Sequence, residues 1–222
     1  MIIIIKQVVK IGGSLFPNYA IDLANKLKST NSCIVLGGGE FANLIRKYND
    51  EQHFSEEINH WTAIDCMDII AKLVNDKVES AKLAYSIEEI NQISNEGFTP
   101  IFIVSEFLKK EDPFECSWDV TSDSIAAYVA HLLNANLLIV TNVNGIYTQE
   151  PKESGSTFIS KIDAKTLLTF PETSVDVMLP SLLLKFGTNC YVVNGKYPER
   201  VLSLIDDSIN DYNFDYTQIT GD

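Results

Sequence analysis

Close cysteine pairs, long apolar runs and an excess of positive charge are all missing from this 222-residue chain. Its four cysteines, Cys33, Cys66, Cys116 and Cys190, stand far apart with no CxxC pair. That excludes the close ligand spacing of structural zinc sites, and reduced, partly buried thiols are expected instead. No run approaches the ~18–20 apolar residues of a membrane span. The opening residues 1–5 are apolar, but Lys6 and Lys10 follow too soon for a secretory signal, so a cytoplasmic protein without membrane contact is expected. Lysine and arginine number 17 against 30 aspartates and glutamates. With a net charge of −13 and no basic stripe, a generic nucleic-acid binder is excluded. A small anionic substrate is not, because a few lysines and backbone N–H groups can dominate a local field. Internal repeats, low-complexity tracts and the Gly-x4-Gly-Lys-Ser/Thr spacing of a Walker loop are absent too.

What is present is an alternation of short apolar strands with amphipathic helices. A composition of 45% hydrophobic and 21% charged residues suits one soluble domain over 1–222. Residues 8–11 read as a strand running into Gly12-Gly13-Ser14, and residues 18–27 as the helix that follows. Residues 33–36 repeat the pattern: a strand opening into Gly37-Gly38-Gly39, then a helix over 40–48 carrying Arg46. Glycines at a strand end let the backbone approach a ligand, and the following helix start offers N–H donors suited to phosphate oxygens.

A long helical pattern covers 55–77, with His60 and Trp61 near its start and enough apolar face to suggest an oligomer contact. A short strand at 83–85, a helix at 87–93 and a strand at 99–104 follow, then a charged loop at 109–113. Residues 118–127 read as a loop entering a helix whose first turn carries Asp123, with Thr121 or Ser122 as cap. A strand over 137–140 leads into Thr141-Asn142-Val143-Asn144-Gly145. Beyond Tyr147 we expect a polar excursion at 148–157, helices at 162–168 and 176–186, a strand at 190–193, a helix at 199–204 and a peripheral acidic tail after 206. The alternation argues for an α/β fold with a mostly parallel sheet and helices on both faces.

Four segments, Lys10-Ile11-Gly12-Gly13-Ser14, Gly37-Gly38-Gly39, Ser122-Asp123-Ser124 and Thr141-Asn142-Val143-Asn144-Gly145-Ile146-Tyr147, together with Asn194-Gly195, resemble the amino acid kinase family in content and order. The resemblance implies a three-layer α/β/α sandwich, ATP and Mg2+ as cofactors, a small phosphate-bearing acceptor, and a homo-oligomer. It implies an acceptor side mainly in 1–115 and a nucleotide side mainly in 116–222. Lys10 and Asp123 are the catalytic pair in this reading: the lysine follows the moving phosphoryl group and the aspartate orients lysine ammonium groups. Gly12, Gly13, Ser14, Thr141, Asn142, Gly145 and Tyr147 fall on the nucleotide side, and Gly37, Gly38 and Gly39 on the acceptor's anionic group. Phosphoryl transfer needs positioning and positive charge more than covalent help, which is why glycine loops and a lysine suffice.

Two departures stand out. Asn142 and Asn144 occupy positions where the family usually has aspartates, and Ser181 falls where it has a second lysine, leaving Lys185, Arg46, Lys161 or the acceptor itself to supply that charge. The segments His60-Trp61-x-Ala63-Ile64-x-x-Met67-Asp68 and Trp118-Asp119-x-Thr121 look most like a methanogen branch that phosphorylates [5-(aminomethyl)furan-3-yl]methyl phosphate in methanofuran biosynthesis. That likeness implies Arg46 and His60 for the acceptor's phosphate, Trp61 or Trp118 for the ring, and Asp65, Asp68 or Asp119 for the amine. Isopentenyl phosphate, uridylate or acetylglutamate kinases and a non-catalytic nucleotide-binding protein are the alternatives. An acid in the acceptor pocket would argue against isopentenyl phosphate.

Overall fold

Strands with apolar residues on both faces must be covered on both faces, and this chain builds its sheet accordingly. The computed structural model describes residues 4–149, 151–171, 173–206, 208 and 212–221. In chain order the first elements are β1 (Gln7–Ile11), α1 (Asn18–Lys26), β2 (Ser32–Leu36), α2 (Gly39–Gln52) and α3 (Glu56–Asn75). They are followed by β3 (Ala81–Ala84), α4 (Ile87–Asn95), β4 (Thr99–Phe102), α5 (Ser105–Glu111), α6 (Ser122–Leu133) and β5 (Asn136–Thr141). The remainder is β6 (Ile146–Tyr147), β7 (Phe158–Ile159), β8 (Lys161–Asp163), α7 (Ala164–Leu167), α8 (Leu179–Phe186), β9 (Cys190–Asn194), α9 (Pro198–Ile205) and β10 (Thr217–Thr220).

The main sheet has the order β3-β4-β2-β1-β5-β9-β10-β8, and the strands from β3 to β9 run parallel. β10 pairs antiparallel to β9 and parallel to β8, while β6 and β7 form a separate hairpin. Neighbouring residues of β1 serve opposite layers. Val8 belongs to the core layer that also holds Ile90 of α4, Ile125 of α6 and Leu183 of α8, whereas Val9 and Ile11 belong to the layer with Leu23 of α1 and Val201 of α9. The result is the expected three-layer arrangement.

Caps set the helix starts. The Ser55 hydroxyl accepts the Ile58 N–H at 3.3 Å with Glu56 and Glu57 in the first turn, and Ser86 does the same for Glu89 at 3.2 Å. Several expected boundaries move for similar reasons. The helix expected at 162–168 is β8 followed by α7, because Ile162 pairs with Ile219 and Asp163 caps the Thr166 N–H at 2.8 Å. The helix expected from 176 starts at Leu179, whose N–H is taken by the Asp176 carboxylate. The charged loop at 109–113 is largely the last turn of α5, ended by Asp112 at φ 44°. The tail is not peripheral, since β10 lies inside the sheet. Residues 207, 209–211 and 222 of that tail, residues 1–3 of the opening run and Glu150 of the polar excursion lie outside the described residues.

Candidate functional site

Three backbone turns converge at the C-terminal ends of β1 and β2, where an open parallel sheet places its ligands. The Gly12 N–H donates to the Val140 carbonyl at 2.7 Å and the Gly37 N–H to the Ile11 carbonyl at 2.9 Å. A Cβ on Gly13 would fall on the backbone of Gly39, and one on Gly37 would lie 2.7 Å from Gly13 N and 3.1 Å from Ser122 Oγ. Gly39, at φ +54°, opens α2. The glycines are therefore required where the loop after β1, the loop after β2 and the start of α6 touch.

Behind that junction Lys10 and Asp123 form a buried ion pair, Nζ to Oδ1 at 2.6 Å, with side chains 9% and 6% exposed. Asp123 Oδ2 accepts the N–H of Asp176 at 3.1 Å. Burial pushes the Asp123 carboxyl above the usual carboxylate range; Lys10 opposes that shift and Asp176 adds to it. Burial also pushes the Cys33 and Cys190 thiols up, as suits inert core groups.

In front of the junction lies a cleft of about 260 Å³. Its floor is apolar, with Ala42, Ala63, Ile64, Met67 and Ile125, and its polar wall comes from Gly13, Ser14, Gly37, Gly38, Gly39, Asn43, Arg46, His60, Ser117, Thr121 and Ser122. The Arg46 guanidinium lies 4.6 Å from the centre of the Trp118 ring and has no carboxylate partner among the described residues. His60 is buried, with Nδ1 3.2 Å from the Ser117 carbonyl oxygen, so Nδ1 carries a proton and the ring is fixed. Among the described residues no carboxylate lines this cleft, whereas Arg46 does, so it is locally cationic in an acidic protein.

A second cavity of about 270 Å³ opens at the end of β5, lined by Thr141, Asn142, Val143, Tyr147, Gln149, Pro151, Thr173 and Ser174. The Asn144 side chain faces away from any metal role. Its Oδ1 accepts from Asn194 Nδ2 at 3.0 Å and Arg200 Nη1 at 3.3 Å, and its Nδ2 donates to Asp215 at 3.3 Å. The Gly145 carbonyl accepts the Ser174 hydroxyl at 3.0 Å, and a Cβ on Gly145 would collide with Thr217.

The structure thus brings Lys10 to Asp123, gathers Gly13, Ser14, Gly37, Gly38, Gly39, Arg46, His60 and Trp118 around one cleft, and puts Thr141, Asn142 and Tyr147 around the other. Gly13 and Ser14, expected toward the nucleotide, line the first cleft; Gly12 and Gly145 line neither. The acids expected for an amine are elsewhere. Asp68 is buried and accepts the N–H groups of Val104 at 2.9 Å and Ser105 at 3.4 Å, capping α5. Asp65 is paired with Lys109 at 3.5 Å, and Asp119 is exposed outside the cleft lining. Trp61 packs against the core rather than the cleft. Lys185 lies 5.7 Å from the Phe186 ring and Lys161 is exposed on β8, and neither lines either of these two cavities. Sequence reading missed Asp176, although an acid three residues before the first turn of a helix was a readable capping signal. It also missed Thr217, for which no local signal existed.

Known proteins share this fold. The amino acid kinase family model matches residues 6–194. The [5-(aminomethyl)furan-3-yl]methyl phosphate kinase of Methanocaldococcus jannaschii is 36% identical over 97% of this chain and 98% of its own. A uridylate kinase of the same organism is 28% identical over 80% and 79%. Among solved structures, the uridylate kinase from Archaeoglobus fulgidus superposes with a TM-score of 0.72 over 97% of this chain and 100% of its own, at 20% identity. The UMP kinase from Ureaplasma parvum reaches 0.72 over 98% and 99%, at 18% identity. The chain belongs to the amino acid kinase family and is a phosphotransferase.

Proposed function

We propose that this protein transfers the γ-phosphoryl group of MgATP to [5-(aminomethyl)furan-3-yl]methyl phosphate, giving the diphosphate. The observation that carries the reading is the 36% identity to a kinase of that acceptor over nearly the full length of both chains. The cleft supports it. An acceptor phosphate would sit between Arg46 and the N–H groups of the two glycine loops, and Trp118 would wall the ring. Lys10, fixed by Asp123, balances the charge that develops as the phosphoryl group moves. No general base is required, because the attacking phosphate oxygen is already ionised at neutral pH. The second cavity, at the 141–147 turn, would take the nucleotide. This assigns the acceptor side mainly to 1–115 and the nucleotide side mainly to 116–222, with residues 117–125 closing the acceptor cleft from the second half.

Mg2+ enters as part of the nucleotide. No cluster of three or more His, Cys, Asp or Glu side chains able to hold a metal is found among the described residues, and Asp123 is committed to Lys10 and Asp176. No helix among the described residues is long and apolar enough to cross a membrane, and a cytoplasmic location is part of this reading. So is a homo-oligomer. α2 buries none of its residues, and Phe41, Leu44, Tyr48, Phe54 and Ile58 are all exposed along α2 and the start of α3, a face suited to a second copy. Most of α3 beyond this point faces its own core.

One observation favours a second reading, an acceptor with an uncharged tail such as isopentenyl phosphate: among the described residues no carboxylate lines the cleft to meet an amine. ADP release measured with MgATP and a panel of monophosphates separates the two. The aminomethylfuran phosphate should show the highest kcat/KM. A preference for isopentenyl phosphate would transfer the reading to that acceptor, and nucleotide binding without turnover on any acceptor would defeat both.

A further inference from the structure

Asp176 lies in the turn before α8, five residues ahead of Ser181. Its Oδ2 accepts the Thr121 N–H at 3.0 Å, the Thr121 hydroxyl at 2.9 Å and the Ser124 N–H at 2.9 Å. Its Oδ1 accepts the Ser124 hydroxyl at 2.5 Å and the Leu179 N–H at 2.8 Å, and its own N–H donates to Asp123. A carboxylate held by five donors has one orientation. Thr121, at the N-cap position of α6, makes no capping bond within its own helix, so α6 begins where Asp176 holds it. Thr121 and Ser122 line the acceptor cleft, while Thr173 and Ser174 line the nucleotide cavity.

We infer that Asp176 is a positioning residue: it fixes Asp123, and through it the Lys10 ammonium, and it ties the wall of the nucleotide cavity to that of the acceptor cleft. It touches no substrate. The inference rests on the phosphotransfer reading for its catalytic consequence, but the link to Asp123 stands on the hydrogen bonds alone.

The test is Asp176→Asn in the full chain. Putting an amide where five donors converge turns one acceptor into a donor and displaces the start of α6. kcat should fall about 10- to 100-fold, the scale of a reacting group misplaced by an ångström, with KM for ATP and acceptor within about threefold. The groups facing Asp123 are Lys10, Asp176 and the Cys190 thiol, and only one of these charges is removed. The Asp123 carboxyl, followed by carbon NMR, should therefore titrate at lower pH than in the wild type. Ser124→Ala, which removes one bond and keeps the charge, should lower kcat less and leave that titration in place. An unchanged kcat, or a loss accounted for entirely by unfolded protein with the titration unmoved, overturns the inference. If Asp176→Asn does not fold, an unaltered kcat in Ser124→Ala overturns it. A wild type that turns over no monophosphate defeats the kinase reading, while a shifted Asp123 titration still upholds the link.

Discussion

Replacing Lys10 by methionine separates what the buried ion pair does for folding from what it does for chemistry. Methionine keeps much of the lysine stem's volume and deletes the charge 2.6 Å from Asp123 Oδ1. With both side chains nearly inaccessible, solvent screens little, and removing one partner of such a pair typically costs about 3–5 kcal/mol. Asp123 can escape part of that cost by protonating. Its folded carboxyl is already raised by burial, and without Lys10 it rises further. A carboxyl raised in the folded state leaves the fold unpenalised below the unfolded value. It removes about 1.4 kcal/mol per pH unit as pH climbs from there to the folded value. The Lys10→Met penalty should therefore be small near pH 4 and grow toward about 3 kcal/mol at pH 8, or roughly 6–12 °C in melting temperature for a chain of this size. Adding Asp123→Asn should restore most of the stability at pH 8, because no charge is then stranded. Turnover should not return, since the charge following the phosphoryl group is gone, and a loss of at least about 10²–10³ in kcat is expected. Urea unfolding at both pH values, with ADP release on the same samples, reads both effects. Equal stability of the single and double variants at pH 8, or turnover within tenfold of wild type, would refute this account of the pair.

Three further outcomes follow from the geometry. Arg46→Ala should raise the acceptor KM about 10- to 100-fold, the loss of a hydrogen bond to a charged group, and leave the ATP KM unchanged in steady-state kinetics. Asp68→Ala should cost about 1–2 kcal/mol in urea unfolding as an uncapped α5, with no change in acceptor KM; a raised KM would return Asp68 to the acceptor site. Gly13→Ala drives a Cβ into the backbone of Gly39, so acceptor-dependent kcat/KM should collapse while nucleotide binding, measured by calorimetry, persists.

What the sequence revealed and what it hid divide by distance along the chain. The β1 and β2 units were readable because strand, glycines and helix start are contiguous, and buried parallel strands announce themselves as mostly apolar, β-branched stretches. Asp123 was marked by its motif. Asp68 and Asp176 looked either interesting or ordinary for the wrong reasons, because their partners are 36 and 52–55 residues away. A buried acid aimed at helix N–H groups and an acid aimed at a ligand have the same letter. Thr-Gln-Ile-Thr at 217–220 is strand only because β9 and β8 leave a gap for it, and nothing local encodes that.

That last strand gives the turn at 141–147 a position in time. The Ile146 N–H is held by the Thr217 hydroxyl, 71 residues later. At about 5–20 residues per second, a ribosome needs some 4–14 seconds to cover that interval. During those seconds the turn lacks its brace, and once β9 has emerged it shows a bare hydrogen-bonding edge until residues 217–219 follow. The start of α6 waits likewise, because Asp176, which holds Thr121 and Ser124, comes 52–55 residues after them. Both cavities are thus finished by residues made seconds after the turns they brace.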